Sequence, residues 1–386
     1  MIPYARQSIS EEDIAAVVAV LRSEFLTQGP VIEQFEQAVS ARCGARHAVA
    51  TSSATAALHL ACRAAGLGPG DRLWTSPNTF VASANCGLYC GAEIDFVDID
   101  LPTGNLSVEL LETKLRAAAI IGRLPKVVVP VDFGGLPCDL HAIAQLGQRY
   151  GFTVIEDASH AVGARYRGQA IGDGRLADMT VFSFHPVKIV TTGEGGMVLT
   201  NRSEWADKVR LLRSHGITRD PALWGEKSPG PWYYEQLELG FHYRLTDLQA
   251  ALGLSQWARL DMFLARRREL AAQYAKQLAD LPLELPSESA EYESAWHLYV
   301  VRLPSSSTPA RHREVFEGLR ARGIGVNLHY LPVHLQPYYR RLGFREGDFP
   351  NAEQHARQAI SLPMFPGLRD AEQDEVIAAL RAVLKD

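Results

Sequence analysis

Between Thr153 and Asn201 the chain carries a carboxylate, an imidazole, a hydroxyl and an amine, all at the ends of apolar runs. The runs are 153–156, 179–184 and 197–200, each β-like and separated by turn-rich segments. Asp157 and His160 follow the first, Ser183, His185 and Lys188 attend the second, and Thr200 and Asn201 close the third. In a parallel α/β sheet the carboxyl ends of the strands face the binding crevice, so these groups read as parts of one site.

Together they match the needs of pyridoxal phosphate. A partly desolvated lysine has a depressed pKa and becomes nucleophilic, the role open to Lys188 toward the cofactor's aldehyde. Asp157, after a buried strand, can hold the pyridine nitrogen protonated and so make the ring an electron sink. Ser183 can bond the phosphate and His160 can steady the ring, while Gly193, Gly195 and Gly196 allow close backbone approach. A solitary loop lysine is also commonly a solvated charge, and an Asp after a strand a turn or helix cap. Spacing by itself leaves both readings open.

The elements that must position these residues can be read from periodicity and caps. Ser10 and Asp13 form a capping box that opens a helix to Leu21. The segment Ser23–Pro30 breaks periodicity before a second helix. A strand at His47–Ser52 leads to a helix from Ala54 to about Ala65, stopped by Gly66. The turn Ser52–Thr55 puts amides and a hydroxyl at a helix N-terminus, a phosphate site or equally a plain cap. Strands Arg72–Ser76, Ile94–Asp98 and Lys126–Val131, with helices near 107–118 and 139–150, predict a mostly parallel sheet covered on both faces. Gly66, Gly68 and Gly70 follow a helix and open none, which excludes a dinucleotide loop.

After a helix from Asn201 to about Ser214, the segment 215–240 is aromatic and long for a compact domain, suiting a lid or subunit contact. Thr246 and Gln249 form a second capping box, predicted to open one long helix through Phe263, Leu270, Tyr274 and Leu278. That helix would bridge a large domain, 1–255, and a small α+β domain, 256–386. The latter reads as a strand Trp296–Leu303, a helix Pro309–Arg322 between Thr308 and Gly323, a strand Gly325–Leu328 and a last helix at about 370–384. His329 and His334 lie five apart across a proline, which is no usual metal geometry.

The chain has 386 residues, 47% apolar and 22% charged, which suits a soluble two-domain protein. Its net charge of -5 argues against nucleic acid or an anionic membrane as partner. Five cysteines without C-x-x-C spacing suggest buried thiols in a reducing compartment. The N-terminus has no apolar signal core and no run approaches a membrane span, so a cytoplasmic protein is expected.

The motifs EDASH (156–160), SFHPVK (183–188) and TTGEGG (191–196) resemble the signature of the DegT/DnrJ/EryC1/StrS sugar-nucleotide aminotransferases, and the likeness covers essentially the whole chain. The resemblance implies the type I pyridoxal phosphate aminotransferase fold, with Lys188 catalytic and Asp157, His160 and Ser183 at the cofactor. It also implies a phosphate turn at Ala54 and Thr55, where the family usually reads Gly-Thr, and a stacking aromatic at Phe80. The motif GFHYR (240–244) reaches the neighbouring subunit's phosphate in the family, commonly with Asn where His242 stands, which implies a homodimer with shared active sites. Substrate contacts are implied for Tyr4, for Glu24, Phe25, Leu26 and Thr27 around the LTQGP loop, and for His185. The C-terminal segment Asn327, Leu328, His329 and Tyr330 completes that set.

PYARQSI (3–9), LTQGP (26–30), SFHPVK and HYLPVHLQPYY (329–339) are similar to the pseudaminic acid branch of the family, the UDP-4-amino-4,6-dideoxy-N-acetyl-β-L-altrosamine transaminases. The implied reaction moves an amino group from glutamate to C4 of UDP-2-acetamido-2,6-dideoxy-4-keto-β-L-arabino-hexose, for cell-surface glycans such as those on flagellin. Two alternatives stand beside it: an aminotransferase acting on another nucleotide-linked keto-sugar or at C3, and a non-catalytic binding member of the fold. Loss of the lysine or the aspartate would mark the latter, and both are present. Family members that dehydrate sugars replace the lysine, so Lys188 argues against dehydration.

Overall fold

The computed structural model describes residues 1–385. Seven strands form the main sheet in the order His47–Thr51, Gly196–Thr200, Met179–Ser183, Thr153–Asp157, Val127–Val129, Arg72–Thr75, Glu93–Phe96. Only Gly196–Thr200 runs against its neighbours; the pairings from Met179–Ser183 to Glu93–Phe96 are all parallel. The α/β, mostly parallel sheet expected from the sequence is therefore present. Its central strands are buried along nearly their whole length, because helices cover both faces. Alternation then divides the core: Val154, Phe182 and Leu199 pack on one side, Ile155, Val181 and Val198 on the other.

Both capping boxes form, at Ser10/Asp13 and Thr246/Gln249. The single long helix expected after Thr246 does not: Asp247–Ala258 and Leu260–Leu278 are separate helices, broken at Arg259 (φ -101°, ψ 6°). No Pro or Gly marks the break. Its cause is tertiary, because the buried Asp13 takes donors from Ser255 (2.6 Å), Gln256 (2.6 Å) and Arg259. A buried carboxylate without such partners would be costly, so the helix bends to supply them.

Leu260, Phe263 and Leu264 belong to the core under the main sheet, whereas Leu270, Tyr274 and Leu278 belong to a second cluster with Tyr299, Leu319 and Leu380. Each fully buried side chain of this kind contributes about 1.5–3 kcal/mol. Around the second cluster the strand Tyr299–Arg302 pairs with Ala359–Leu362, shorter than the expected 296–303 because Trp296 adopts φ 49°. The strand expected at Gly325–Leu328 is instead two isolated bridges, Ile2 with Ile324 and Asn327 with Ser361. A helix at Ala82–Tyr89 carries no periodic apolar signal, since most of its residues are small. Within 215–240 a short ribbon pairs Ile217–Thr218 with Glu235–Gln236 and leaves Trp232 and Leu239 exposed.

Candidate active site

Asp157 ends the central strand, held by backbone bonds from its N–H to Pro130 (2.9 Å) and from Asp132 N–H to its carbonyl (3.1 Å). Its side chain is oriented twice: Ser83 Oγ donates to Oδ2 at 2.6 Å and Ser159 N to Oδ1 at 3.1 Å. Because the one Ser83 proton goes to Asp157, Thr79 Oγ1, 2.8 Å away, must donate to Ser83. Sequence reading missed Ser83, which lies on the helix it did not find.

Lys188 lies on the excursion 184–195 between two antiparallel strands whose ends pair Ser183 with Gly196. The excursion is internally braced. Lys188 N bonds His185 O at 2.8 Å, Thr192 N bonds Phe184 O at 3.0 Å and Phe184 N bonds Gly195 O at 2.9 Å. Gly193 turns at φ 81°, a conformation open to glycine. Burial pulls the lysine pKa down to about 8, with the Asp157 charge opposing the shift.

These groups face a cavity of about 510 Å³ with Ser183, His160, His185, Phe80 and the N-terminus of the helix Ala54–Ala64 on its walls. At that terminus Ser53 Oγ accepts from Ala56 N (3.1 Å), while the amides of Ala54 and Thr55 have no intrahelical acceptor. Gly196 lies so close behind that a Cβ there would meet Ser53 O and Ala54 N at 2.5 Å. Phe80 is 60% exposed, its ring open to the cavity.

His160 is buried, and burial with the nearby Lys188 charge pushes its pKa well below the usual imidazole range. Its Nδ1 accepts from Gly134 N (3.3 Å), so the ring proton sits on Nε2, 3.1 Å from Tyr330 Oη. Tyr330 shares the wall with Asn327, Leu328, His329 and Tyr4. His329 has both nitrogens occupied, Nδ1 by Ser361 Oγ (2.7 Å) and Nε2 by Asn327 Nδ2 (3.3 Å), and burial brings its pKa to about 3. It is a neutral, fixed part of the wall. His297, unread in the sequence, stands with its ring 4.4 Å from that of His160. The peptide His329–Tyr330 is cis.

Five expected residues lie outside this cavity. Glu24, Phe25, Leu26 and Thr27 are on the exposed loop before Pro30, tied down by a bridge from Thr27 to Thr246. His242 is exposed and stacks on His215 at 5.3 Å between centroids. No group of His, Cys, Asp and Glu among the described residues can hold a metal ion.

The donor set fits pyridoxal phosphate: an amine of lowered pKa, a carboxylate held at both oxygens, free helix amides and a backbone cradle that a Cβ at Gly196 would fill. Comparison with known proteins bears on the same point. A profile of the DegT/DnrJ/EryC1/StrS aminotransferase family matches residues 7–381. The chain is 42% identical to the spore coat polysaccharide biosynthesis protein SpsC of Bacillus subtilis, over 100% of this chain and 97% of that one. It superposes on Helicobacter pylori PseC, an aminotransferase involved in pseudaminic acid biosynthesis, with a TM-score of 0.91 and 30% identity over 100% and 99% of the two chains. The Streptococcus pneumoniae protein Spr1654 in its PMP form gives a TM-score of 0.92 and 30% identity, again over 100% and 99%. Matching along its whole length and in the chemistry of its cavity, the chain belongs to the DegT/DnrJ/EryC1/StrS aminotransferase family and is a sugar aminotransferase dependent on pyridoxal phosphate.

Proposed function

We propose that the enzyme aminates C4 of UDP-2-acetamido-2,6-dideoxy-4-keto-β-L-arabino-hexose with glutamate as donor, in the cytoplasm and on the way to pseudaminic acid for surface glycans such as those of flagellin. The observation that carries the aminotransfer is one cavity shared by Lys188, Asp157 and His160 on one side and Tyr4 and Asn327–Tyr330 on the other. The likeness to PseC supports the choice of sugar.

When bound, pyridoxal phosphate supplies an aldehyde that condenses with amines and a ring that accepts the electron pair left on the substrate carbon. Asp157 keeps the ring nitrogen protonated, and Ser83 and Ser159 hold the carboxylate in place for it. Lys188, at a pKa of about 8, is near enough to neutral to act as nucleophile and then to move a proton from the donor's α-carbon, and later to the sugar's C4. Ser183 and the amides of Ala54 and Thr55 would bind the phosphate, Phe80 would stack on the ring and His160 would steady it. Tyr4, His185 and Asn327–Tyr330 hold the sugar nucleotide. In a homodimer with shared sites, His242 and the loop Glu24–Thr27 serve the neighbouring subunit's cavity. We further assign cofactor binding to residues 1–255 and a smaller covering unit to residues 256–386.

The higher identity to SpsC, 42% against 30% for PseC, favours a second reading in which another nucleotide-linked keto-sugar is the acceptor. The two are separated by loading the purified enzyme with glutamate, following the cofactor's visible absorbance, and adding UDP-4-keto-sugars of defined configuration. Recovery of the original band with the β-L-arabino ketone alone supports the first reading. Recovery with a different ketone moves the pathway and keeps the chemistry.

A further inference from the structure

Behind Asp157 lie two acids that the reaction leaves unused. Glu156 precedes Asp157 on its strand and points to the opposite face of the sheet. Asp132 follows the neighbouring strand Val127–Val129. They are 1% and 0% exposed. Thr180 Oγ1 donates to Glu156 Oε2 at 2.7 Å, and Cys138 N donates to Asp132 Oδ1 at 2.9 Å. The other oxygen of each, Glu156 Oε1 and Asp132 Oδ2, is buried without a hydrogen-bond partner among the described residues, and the two carboxyls interact with each other across adjacent strands. Two ionised carboxylates offer only acceptors, so that contact requires a proton.

We propose that Asp132 and Glu156 share one proton and so keep a single negative charge behind Asp157, acting as positioning residues for the carboxylate that meets the cofactor's ring nitrogen. The line Thr180–Glu156–Asp132–Cys138 crosses the ends of three adjacent strands. Asp132 N also bonds Asp157 O, and Gly134, two residues on, donates to His160. One buried pair thus braces both the strand end and the loop behind the cofactor's two expected partners.

The surrounding charges agree. Asp157 on the same strand as Glu156 disfavours a charge on Asp132, and Asp173 across the neighbouring cavity disfavours one on Glu156. Arg167 and Arg175 line that cavity, of about 250 Å³, but are paired with Glu291 and Asp173. Burial, then mutual repulsion, pushes Glu156 well above the carboxylate range, and burial brings Asp132 to about 7. The remaining single charge makes Asp157 a stronger partner for a protonated ring nitrogen. This inference rests on the cofactor and is independent of which keto-sugar is the substrate.

The test compares the full-length, cofactor-loaded wild type with Glu156→Gln and with Asp132→Asn/Glu156→Gln. A carboxyl whose folded pKa is raised keeps a proton that the unfolded chain has lost, so the wild type gains stability as pH falls from about 8 toward 5. Glu156→Gln preserves the contact through its amide and removes that titration, so its Tm should vary less with pH across this window. Equal slopes would overturn the shared proton. The double variant removes the charge, and its Kd for pyridoxal phosphate should rise roughly tenfold over that of Glu156→Gln. An unchanged Kd would overturn the link to Asp157. If the double variant does not fold, Asp132→Ser/Glu156→Gln removes the same charge and is read the same way.

Discussion

Lys188 is held between opposing influences, burial that disfavours its charge and Asp157 that favours it, and the balance falls at about 8. The apoenzyme should therefore capture pyridoxal phosphate covalently at a rate that rises with pH up to about 8 and levels off above it, as the neutral amine becomes the main form. Stopped-flow absorbance from pH 6 to 9 measures this, and a flat profile would count against the assignment. Lys188→Ala should lose at least about 10²–10⁴-fold in turnover, the range for a positioned acid–base group, while still taking up the cofactor reversibly. A near wild-type rate would remove Lys188 from the mechanism. At this scale the sequence was informative about residue type: the amine, the carboxylate and the imidazole predicted from strand ends do meet in one cavity. Ser83 and His297 were not legible, because their partners Asp157 and His160 are distant in sequence and no local pattern encodes such a contact.

At the scale of elements, the phosphate cradle depends on a helix start pressed against a strand start. Gly196 allows Ser53 and Ala54 to approach to where a Cβ would stand 2.5 Å from backbone atoms. Gly196→Ala must move the helix N-terminus, with an expected stability loss of about 1–3 kcal/mol and weaker cofactor binding. Thermal unfolding and a fluorescence titration measure the two effects, and a variant with unchanged Kd would show that the cradle tolerates displacement. Caps were readable from sequence because they use residues three apart, as at Ser10/Asp13 and Thr246/Gln249. The break at Arg259 was not readable, since the helix bends to satisfy a carboxylate at the other end of the chain.

For the whole molecule, Phe25, Leu26, Trp232 and Leu239 are exposed large apolar side chains outside the cavity, and His242 also lies outside the cavity of its own chain. Both suit the shared-site dimer proposed above. If each site draws on two subunits, mixing Lys188→Ala with His242→Ala under conditions of subunit exchange should restore activity that neither has alone, because one mixed site is intact. Assays of the separate and exchanged proteins decide it; no recovery would place His242 outside the partner's site.

The sequence by itself determined the alternation of strands and helices, the direction of most of the sheet and the kinds of group at the strand ends. Those follow from local rules: periodicity, capping and turn chemistry act over a few residues. Only the tertiary structure decided that Tyr330 meets His160, that Ser83 orients Asp157 and that Glu156 faces Asp132 on the far side of the sheet. These contacts depend on how strands are ordered and how far elements are pressed together, and packing sets both across the whole chain.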